Sequence, residues 1–217
     1  IIRGLVGSEM CIRDRCNDVS LRDCTFDYPA THRFLHGQFQ YVAAWNPSSN
    51  GNTMPSFFGG KRNSFVNNTV RWCNAPVYLG SEEMVIENCL FSDIEWDVNS
   101  NGGSGAVMIG KDSVFRRNTI TRCGNSEGVR AVGEGTTLEH NRLSDMSNLQ
   151  HDGSALNVGT TKHHQVLVSH NWAHDCNRQG MRFDYHGSGI RRQDGQLYGD
   201  GVYMLSLIHI SEPTRPR

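Results

Sequence analysis

The sequence predicts an all-β solenoid, a chain wound into successive rungs of short strands separated by turns. Three observations carry this. An Asn recurs at intervals of 20 to 30 residues, each time between short apolar or β-branched runs. Between these Asn positions lie strand-like runs, most of them closed by Gly. No stretch repeats its apolar residues at spacings of three and four over the length a helix needs.

Composition sets the bounds. The 217 residues include 23 Gly, 7 Cys and 10 His, and 21 Lys+Arg against 22 Asp+Glu give a formal net charge of -1. That length suits one large domain or two small ones and can bury a sizeable core. No window approaches the roughly 18 consecutive apolar residues of a spanning helix. The near-neutral charge excludes a strongly electrostatic nucleic-acid binder. The two ends differ from the middle. Residues 4–15 (GLVGSEMCIRDR) and 205–217 (LSLIHISEPTRPR) resemble in-frame translations of the two strands of one sequencing-library adapter. Residues 1–15 and 205–217 are therefore expected to be non-native. The remaining 16–204 is expected to be a gene fragment truncated at both ends. It retains 16 of the Lys+Arg, 19 of the Asp+Glu and 6 Cys, a net charge of -3.

In chain order, the Asn-centred segments begin with VSLRDCTFDY (19–28), where Asp23 takes the Asn place. SFVNNTVRWC (64–73), MVIENCLFSD (84–93), VFRRNTITRC (114–123), LEHNRLSDM (138–146) and VSHNWAHDC (168–176) follow. The ladder positions are then Asn68, Asn88, Asn118, Asn141 and Asn171. The second set reads PVYLG (76–80), AVMIG (106–110), VRAVG (129–133) and ALNVG (155–159), with MRFDY (181–185) in the same relative place. Gly at these ends suits positive φ or close backbone approach. Each period thus holds about three short strands, and variable periods of this kind imply a solenoid. Segment 29–63 departs from the repeats and is rich in Pro, Asn, Gly, Ser and aromatics. It is expected to be an irregular insertion, a long loop packed on the coil or an enlarged rung.

A strand-only solenoid with an inward Asn at one corner resembles the right-handed parallel β-helix family, the pectin-lyase-like fold. The resemblance covers 64–186 well and 17–63 poorly, and about six rungs are expected. Equivalent residues of successive rungs stack about 4.8 Å apart. Asn offers two donors and an acceptor oxygen there, and it tolerates left-handed backbone. Asn ladders also stabilise stacked parallel strands. Cys73, Cys123 and Cys176 each lie five residues after a ladder Asn, with Asp93 and Met146 in that place in the rungs between. Same-column Cys are then two rungs apart, about 9.6 Å, beyond the roughly 7 Å a disulfide spans. Cys24 and Cys89 share a second column, one after the ladder position. No disulfide is expected within either column, and these Cys should be small buried hydrophobes.

The resemblance implies a ligand site on the outer face of one sheet, flanked by the longer loops. It also implies an extracellular or cell-surface protein with a polysaccharide partner, no nucleic acid and no membrane span, monomeric at full length. The candidate sheet is the Gly-closed column, entered by loops 94–105, 124–127, 147–153 and 177–179. The densest ionisable cluster holds His151, Asp152, Arg178, Arg182, Asp184 and His186. Strand alternation puts Arg182 and Asp184 outward and Met181 and Phe183 inward, and the same parity exposes Arg130. A one-residue slip would reverse these assignments.

Such a cluster could bind and process an acidic sugar, because Arg pairs bidentately with carboxylates. β-Elimination needs a base beside the uronate and a cation to stabilise the enolate. His151, His186 or an Arg would be the base and Arg182 the stabiliser, with Arg130 and Arg178 binding substrate. A glycoside hydrolase would instead use two carboxylates, Asp152 and Asp184. A non-catalytic adhesin-like or structural solenoid would carry the same residues as a solvated Arg–Asp array. The NTD, DD and GHG motifs of polygalacturonases and the RxPxxR pattern of pectate lyases are missing, so no pectinase mechanism carries over residue by residue. No cofactor is expected. A weaker Ca²⁺ reading rests on Asp93, Glu95 and Asp97 at every second position. The favoured reading there is a strand with Ile94, Trp96 and Val98 inward and the acids outward. His170 and His174 flank a strand corner and are not expected to form a zinc pair.

Overall fold

The computed structural model describes residues 16–28, 56–57, 59–73, 76–96, 105–124, 127–131, 133–149, 154–158 and 165–176, and the backbone of the strands that follow. The strands stack into three parallel sheets, and the chain visits them in turn. Sheet 1 stacks Ser20–Arg22, Ser64–Val66, Val85–Glu87, Val114–Arg116, Thr137–Glu139, Val166–Ser169 and Val202–Leu205. Sheet 2 stacks Thr25–Asp27, Thr69–Cys73, Leu90–Ile94, Thr119–Cys123, Arg142–Ser144, Trp172–His174 and Ile208–Ile210. Sheet 3 stacks Ser56–Phe57, Val77–Leu79, Gly105–Ile109, Glu127–Ala131, Ser154–Val158 and Gln179–Phe183. This is a parallel β-helix in which six successive rungs contribute to every sheet. The last strands, Val202–Leu205 and Ile208–Ile210, pair with Val166–Ser169 and Trp172–His174 and so extend sheets 1 and 2 into residues 205–217. An unpaired parallel edge accepts any strand-compatible backbone.

Residues 29–55 lie outside the described residues, but Ser56–Phe57 already pairs with Tyr78 and Leu79 in sheet 3. The chain between the second and third strands of the first rung is therefore longer than in the other rungs, and the described sheet 3 begins at Ser56, inside the segment 29–63 expected to be irregular.

Three corners turn the coil, each with a left-handed residue in every rung, to which Gly60, Glu95 and Ser147 add second ones. Before sheet 1 these are Asp18, Arg62, Glu83, Asp112, Gly135 and Gln165, with φ from 53° to 69°. Between sheets 1 and 2 they are Asp23, Asn67, Asn88, Arg117, His140 and His170. At the far end of sheet 2, within or just after its strands, they are Tyr28, Trp72, Asp93, Arg122, Asp145 and Asp175. The Gly residues closing sheet 3 serve close approach instead. A Cβ on Gly110 would lie 2.5 Å from the Gly80 carbonyl oxygen, and one on Gly133 would lie 2.3 Å from Lys111 Cα.

The core fills with residues from all three sheets. Phe26, Phe65, Phe91 and Phe115 stack in series, alternating between sheets 2 and 1, with centroids 6.0, 6.2 and 6.1 Å apart. At the corner between sheets 1 and 2, the inward ladder consists of Cys24, Asn68, Cys89, Asn118, Asn141 and Asn171. The register Thr69 to Leu90 to Thr119 fixes Cys89, not Asn88, beside Asn68 and Asn118. This corrects the sequence-based ladder in two rungs. Asn88 and Asp23 take the left-handed position outside the corner, where Asn88 donates to Asn67 at 2.9 Å and Asn67 to Asp23 at 3.1 Å. Ile94, not Asp93, stands between Cys73 and Cys123. The six described cysteines are free thiols.

Candidate functional site

Sheet 3 differs from a strictly alternating strand. Ala106 and Val107, and again Ala155 and Leu156, are consecutive members of the core. Between those rungs, a Cβ on Gly128 would meet the core sulfur of Met146 at 3.0 Å, so Gly128 and Val129 also face inward together. The parity thus breaks within each strand. Glu127 and Arg130 can both face outward although they are three residues apart.

The outer column is Tyr78, Met108, Arg130, Asn157 and Arg182 in register. Beside it runs Gly105, Glu127, Ser154 and Gln179. Ser154 Oγ donates to Glu127 Oε2, and Asn157 Nδ2 donates to Glu127 Oε1 at 3.2 Å. Arg130 crosses above Gly105, where an added Cβ would lie 2.8 Å from the Arg130 Cβ. Although they point away from the core, Glu127, Arg130, Ser154 and Asn157 are at most 7 % exposed. Burying charge is unfavourable unless it is paired and hydrogen-bonded. A buried outer patch with an Arg and a carboxylate is therefore a strong functional signal.

Glu95 lies at the corner that precedes the sheet 3 strand Gly105–Ile109. Strand Leu90–Ile94 ends before it, its φ is +54°, and its amide donates to the Cys73 carbonyl at 2.7 Å. Its side chain is fully buried. Burial pushes the Tyr78 hydroxyl up to about 12, the Glu95 carboxylate adds to the rise, and the Arg130 guanidinium opposes it. The charges of Glu95 and Arg130 thus both reach the Tyr78 hydroxyl.

The residues expected from sequence fare differently. Arg130, expected to be exposed, is instead buried, beside Asn157 in the strand register. Arg182 falls in register beside Asn157, with Met181 beside Leu156 and Phe183 beside Val158. His151, Asp152, Arg178, Asp184 and His186 lie outside the described residues, as does Asp97. In the Ca²⁺ pattern, Asp93 is engaged by Arg122 through two bonds of 2.8 and 2.7 Å, which hold its carboxyl below the usual range. Glu95 is buried, not outward, and Trp96 is 43 % exposed, not inward. The left-handed turn at Glu95 ends the alternation that the sequence suggested. His170 stacks on His140 at 4.9 Å, whereas His174 bonds Asp175 at 2.6 Å, so the two do not act as a pair. Among the described residues, no group of three or more His, Cys, Asp or Glu is placed to hold a metal ion.

Sequence reasoning missed Glu127, Ser154, Asn157 and Tyr78, and singled out Glu95 only as a possible Ca²⁺ ligand. The available signal was positional: Asn157 and Tyr78 are polar residues at the centre of the Gly-closed runs.

Three parallel sheets, an inward Asn ladder and one polar outer face define the class, a right-handed parallel β-helix. The family described as the right handed beta helix region matches residues 57–196, and the chain belongs to that family. No curated protein and no solved structure matches the chain. No described helix is long and apolar enough to cross a membrane.

Proposed function

We propose that this is an extracellular or cell-surface carbohydrate-active protein that binds an acidic polysaccharide across the outer face of sheet 3 and cleaves it by β-elimination. The observation that carries this reading is the buried Arg130 in one register column with Asn157 and Arg182. Arg130 and Arg182 are two rungs apart, roughly 9.6 Å along the coil axis. Two guanidiniums on that axis can each take a carboxylate of a linear uronate chain. Elimination removes the proton beside the uronate carboxylate, opens the carbon–oxygen bond at the next carbon and returns a proton to the leaving oxygen. Arg182 neutralises the carboxylate as the enolate forms, and His151 or His186 takes the proton. Arg130, Arg178 and Asn157 hold the chain.

Hydrolysis is the second reading, favoured by the buried carboxylates Glu95 and Glu127, which add to the Asp152 and Asp184 pair as acid and base candidates.

Incubation with polygalacturonate and with alginate tests these readings. The ultraviolet absorbance of a new carbon–carbon double bond, lost in Arg182→Ala and reduced in Arg130→Ala, is the expected result. New reducing ends without that absorbance identify a hydrolase. Retention on the polymer with no new ends identifies a non-catalytic solenoid. Full lyase activity in Arg182→Ala overturns the site assignment.

A further inference from the structure

Five large hydrophobic side chains are exposed among the described residues, and four of them lie along one edge of the coil. Tyr28 is 59 % exposed, Trp72 39 %, Trp96 43 % and Leu149 42 %. Tyr28, Trp96 and Leu149 follow a strand of sheet 2 and Trp72 is the next-to-last residue of one, and all four precede the next strand of sheet 3. Tyr28 belongs to the first rung, Trp72 to the second and Trp96 to the third. In the fourth rung Gly124 has no side chain, and Leu149 of the fifth lies over it, its amide donating to the Gly124 carbonyl at 2.8 Å. A Cβ on Gly124 would touch Trp96 Cα and Leu149 Cδ1 at 2.9 Å each, so the stripe has no gap there. Its span is four rung spacings, roughly 19 Å.

The stripe is built rather than incidental. The Tyr28 and Trp72 rings stack at 4.8 Å with 19° between planes, and the Arg71 guanidinium lies over Trp72 at 4.6 Å. Trp96 Nε1 donates to the Arg122 carbonyl at 2.8 Å, which fixes its ring. Tyr28 and Trp72 hold φ of +54° at a corner where the other rungs carry Asp93, Arg122, Asp145 and Asp175. A bulky ring in left-handed backbone is unfavourable for folding alone, and such strain gathers at functional sites.

Resting on the reading above, we propose that this edge is a stacking track for the same polysaccharide, holding a chain that lies parallel to the coil axis and feeds the outer face of sheet 3. The track adjoins that face, because the strand that follows Trp96 in the chain is Gly105–Ile109 of sheet 3. It is narrow, with rings from the first three rungs and Leu149 from the fifth; Asp93, paired with Arg122, stands in register with Trp72, and Trp96 follows three residues on. That width falls short of the roughly 800 Å² per partner of a stable protein interface. It fits a linear polymer whose sugar rings present apolar C–H faces to aromatic rings and hydroxyls to polar neighbours.

The test compares polymer and short oligomer. Trp72→Ala with Trp96→Ala should lower retention in gels containing polygalacturonate or alginate at least tenfold. It should leave binding of a trigalacturonate probe, and the thermal melting temperature, close to the parent. Arg130→Ala should do the reverse, weakening the short probe most. Polymer retention unchanged in the double tryptophan variant overturns the track and leaves the sheet 3 reading standing. Retention that depends on the tryptophans but not on Arg130 keeps the track and overturns the sheet 3 reading. A parent chain that binds neither probe but forms dimers lost on tryptophan removal overturns both and makes the stripe an interface between copies.

Discussion

Asn118 accepts the backbone amide of Cys89 at 2.9 Å, and through its amide nitrogen it donates to the carbonyl of Ile86 at 3.0 Å. Asn141 repeats both bonds one rung on, to Asn118 N and Phe115 O, and Asn171 repeats them to Asn141 N and Leu138 O. Each ladder Asn thus satisfies two backbone groups of the previous rung that its tight corner leaves without strand partners. Asn118→Ala removes both at once. A buried group left unsatisfied costs about 1–3 kcal/mol, so the variant should lose roughly 3 kcal/mol by urea denaturation. A loss below about 1 kcal/mol would show that water replaces the side chain.

Cys89 holds the same ladder position with weaker groups. Its sulfur accepts the Asn68 amide at 3.5 Å and donates to the Phe65 carbonyl at 3.3 Å. These match the two bonds of the Asn residues, but a thiol is a poor donor and acceptor. Cys89→Asn should therefore raise the urea midpoint, by about 1 kcal/mol of stability for one strengthened buried bond. A fall in midpoint would mean that the corner has closed around the smaller thiol.

This ladder shows what the sequence discloses and what it withholds. Recurring Asn residues expose the corner because few other side chains offer two donors and an acceptor there. They do not expose which of two neighbours is inside. In ENC (87–89), Asn88 draws the eye, yet pairing of Leu90 with Thr69 and Thr119 puts Cys89 inside. The site is hidden for a related reason. Period-two parity counted back from Arg130 turns Glu127 inward, but Gly128 and Val129 both face the core and restore Glu127 to the outer face. Glu95 is hidden by its left-handed turn. Parity in these strands is set by packing against the neighbouring rung, which no single segment records.

The cysteines give a chemical check on burial. Desolvation pushes the thiols of Cys89 and Cys176 up to about 11 and raises that of Cys123 as well. Only thiolate reacts readily. At pH 8 a thiol reagent should modify the half-buried Cys16 and Cys24 well before Cys73, Cys89 and Cys123, which should label only after unfolding. Peptide mass mapping reads the order. Early labelling of Cys123, or a Cys73–Cys123 bridge, is incompatible with a buried column interrupted by Ile94.

Acid should weaken the outer face of the coil. Hydrogen bonds from Arg116 and then Arg117 hold the Glu87 carboxyl below its usual range, and Arg122 does the same for Asp93. Both folded values lie under the unfolded ones. The stability these pairs contribute is therefore complete above the ordinary carboxylate range near pH 4 and is lost as pH falls through the folded values. The arginines are largely exposed, so each pair is worth about 0.5 kcal/mol after screening. Arg122→Gln should lower the urea midpoint at pH 7 and leave it nearly unchanged at pH 2. Equal loss at both values would assign the effect to packing of the Arg122 stem instead.

Gly105 tests whether the arrangement of Arg130 matters more than its charge. A methyl group at Gly105 would lie 2.8 Å from Arg130 Cβ and 3.1 Å from Arg130 N, and 3.2 Å from the Val107 carbonyl oxygen. The backbone nitrogen cannot swing away as a flexible side chain can, so strand Glu127–Ala131 must shift. Overpacking of this kind costs about 1–3 kcal/mol. Gly105→Ala should therefore lower stability by that amount and move Arg130 off the axis it shares with Asn157 and Arg182. Affinity for a short uronate oligomer should then fall nearly as far as in Arg130→Ala, although every charge remains. The double variant should be no weaker than Arg130→Ala alone, because both changes remove the same contact. Additive losses in a double-mutant cycle would separate Gly105 from the Arg130 site.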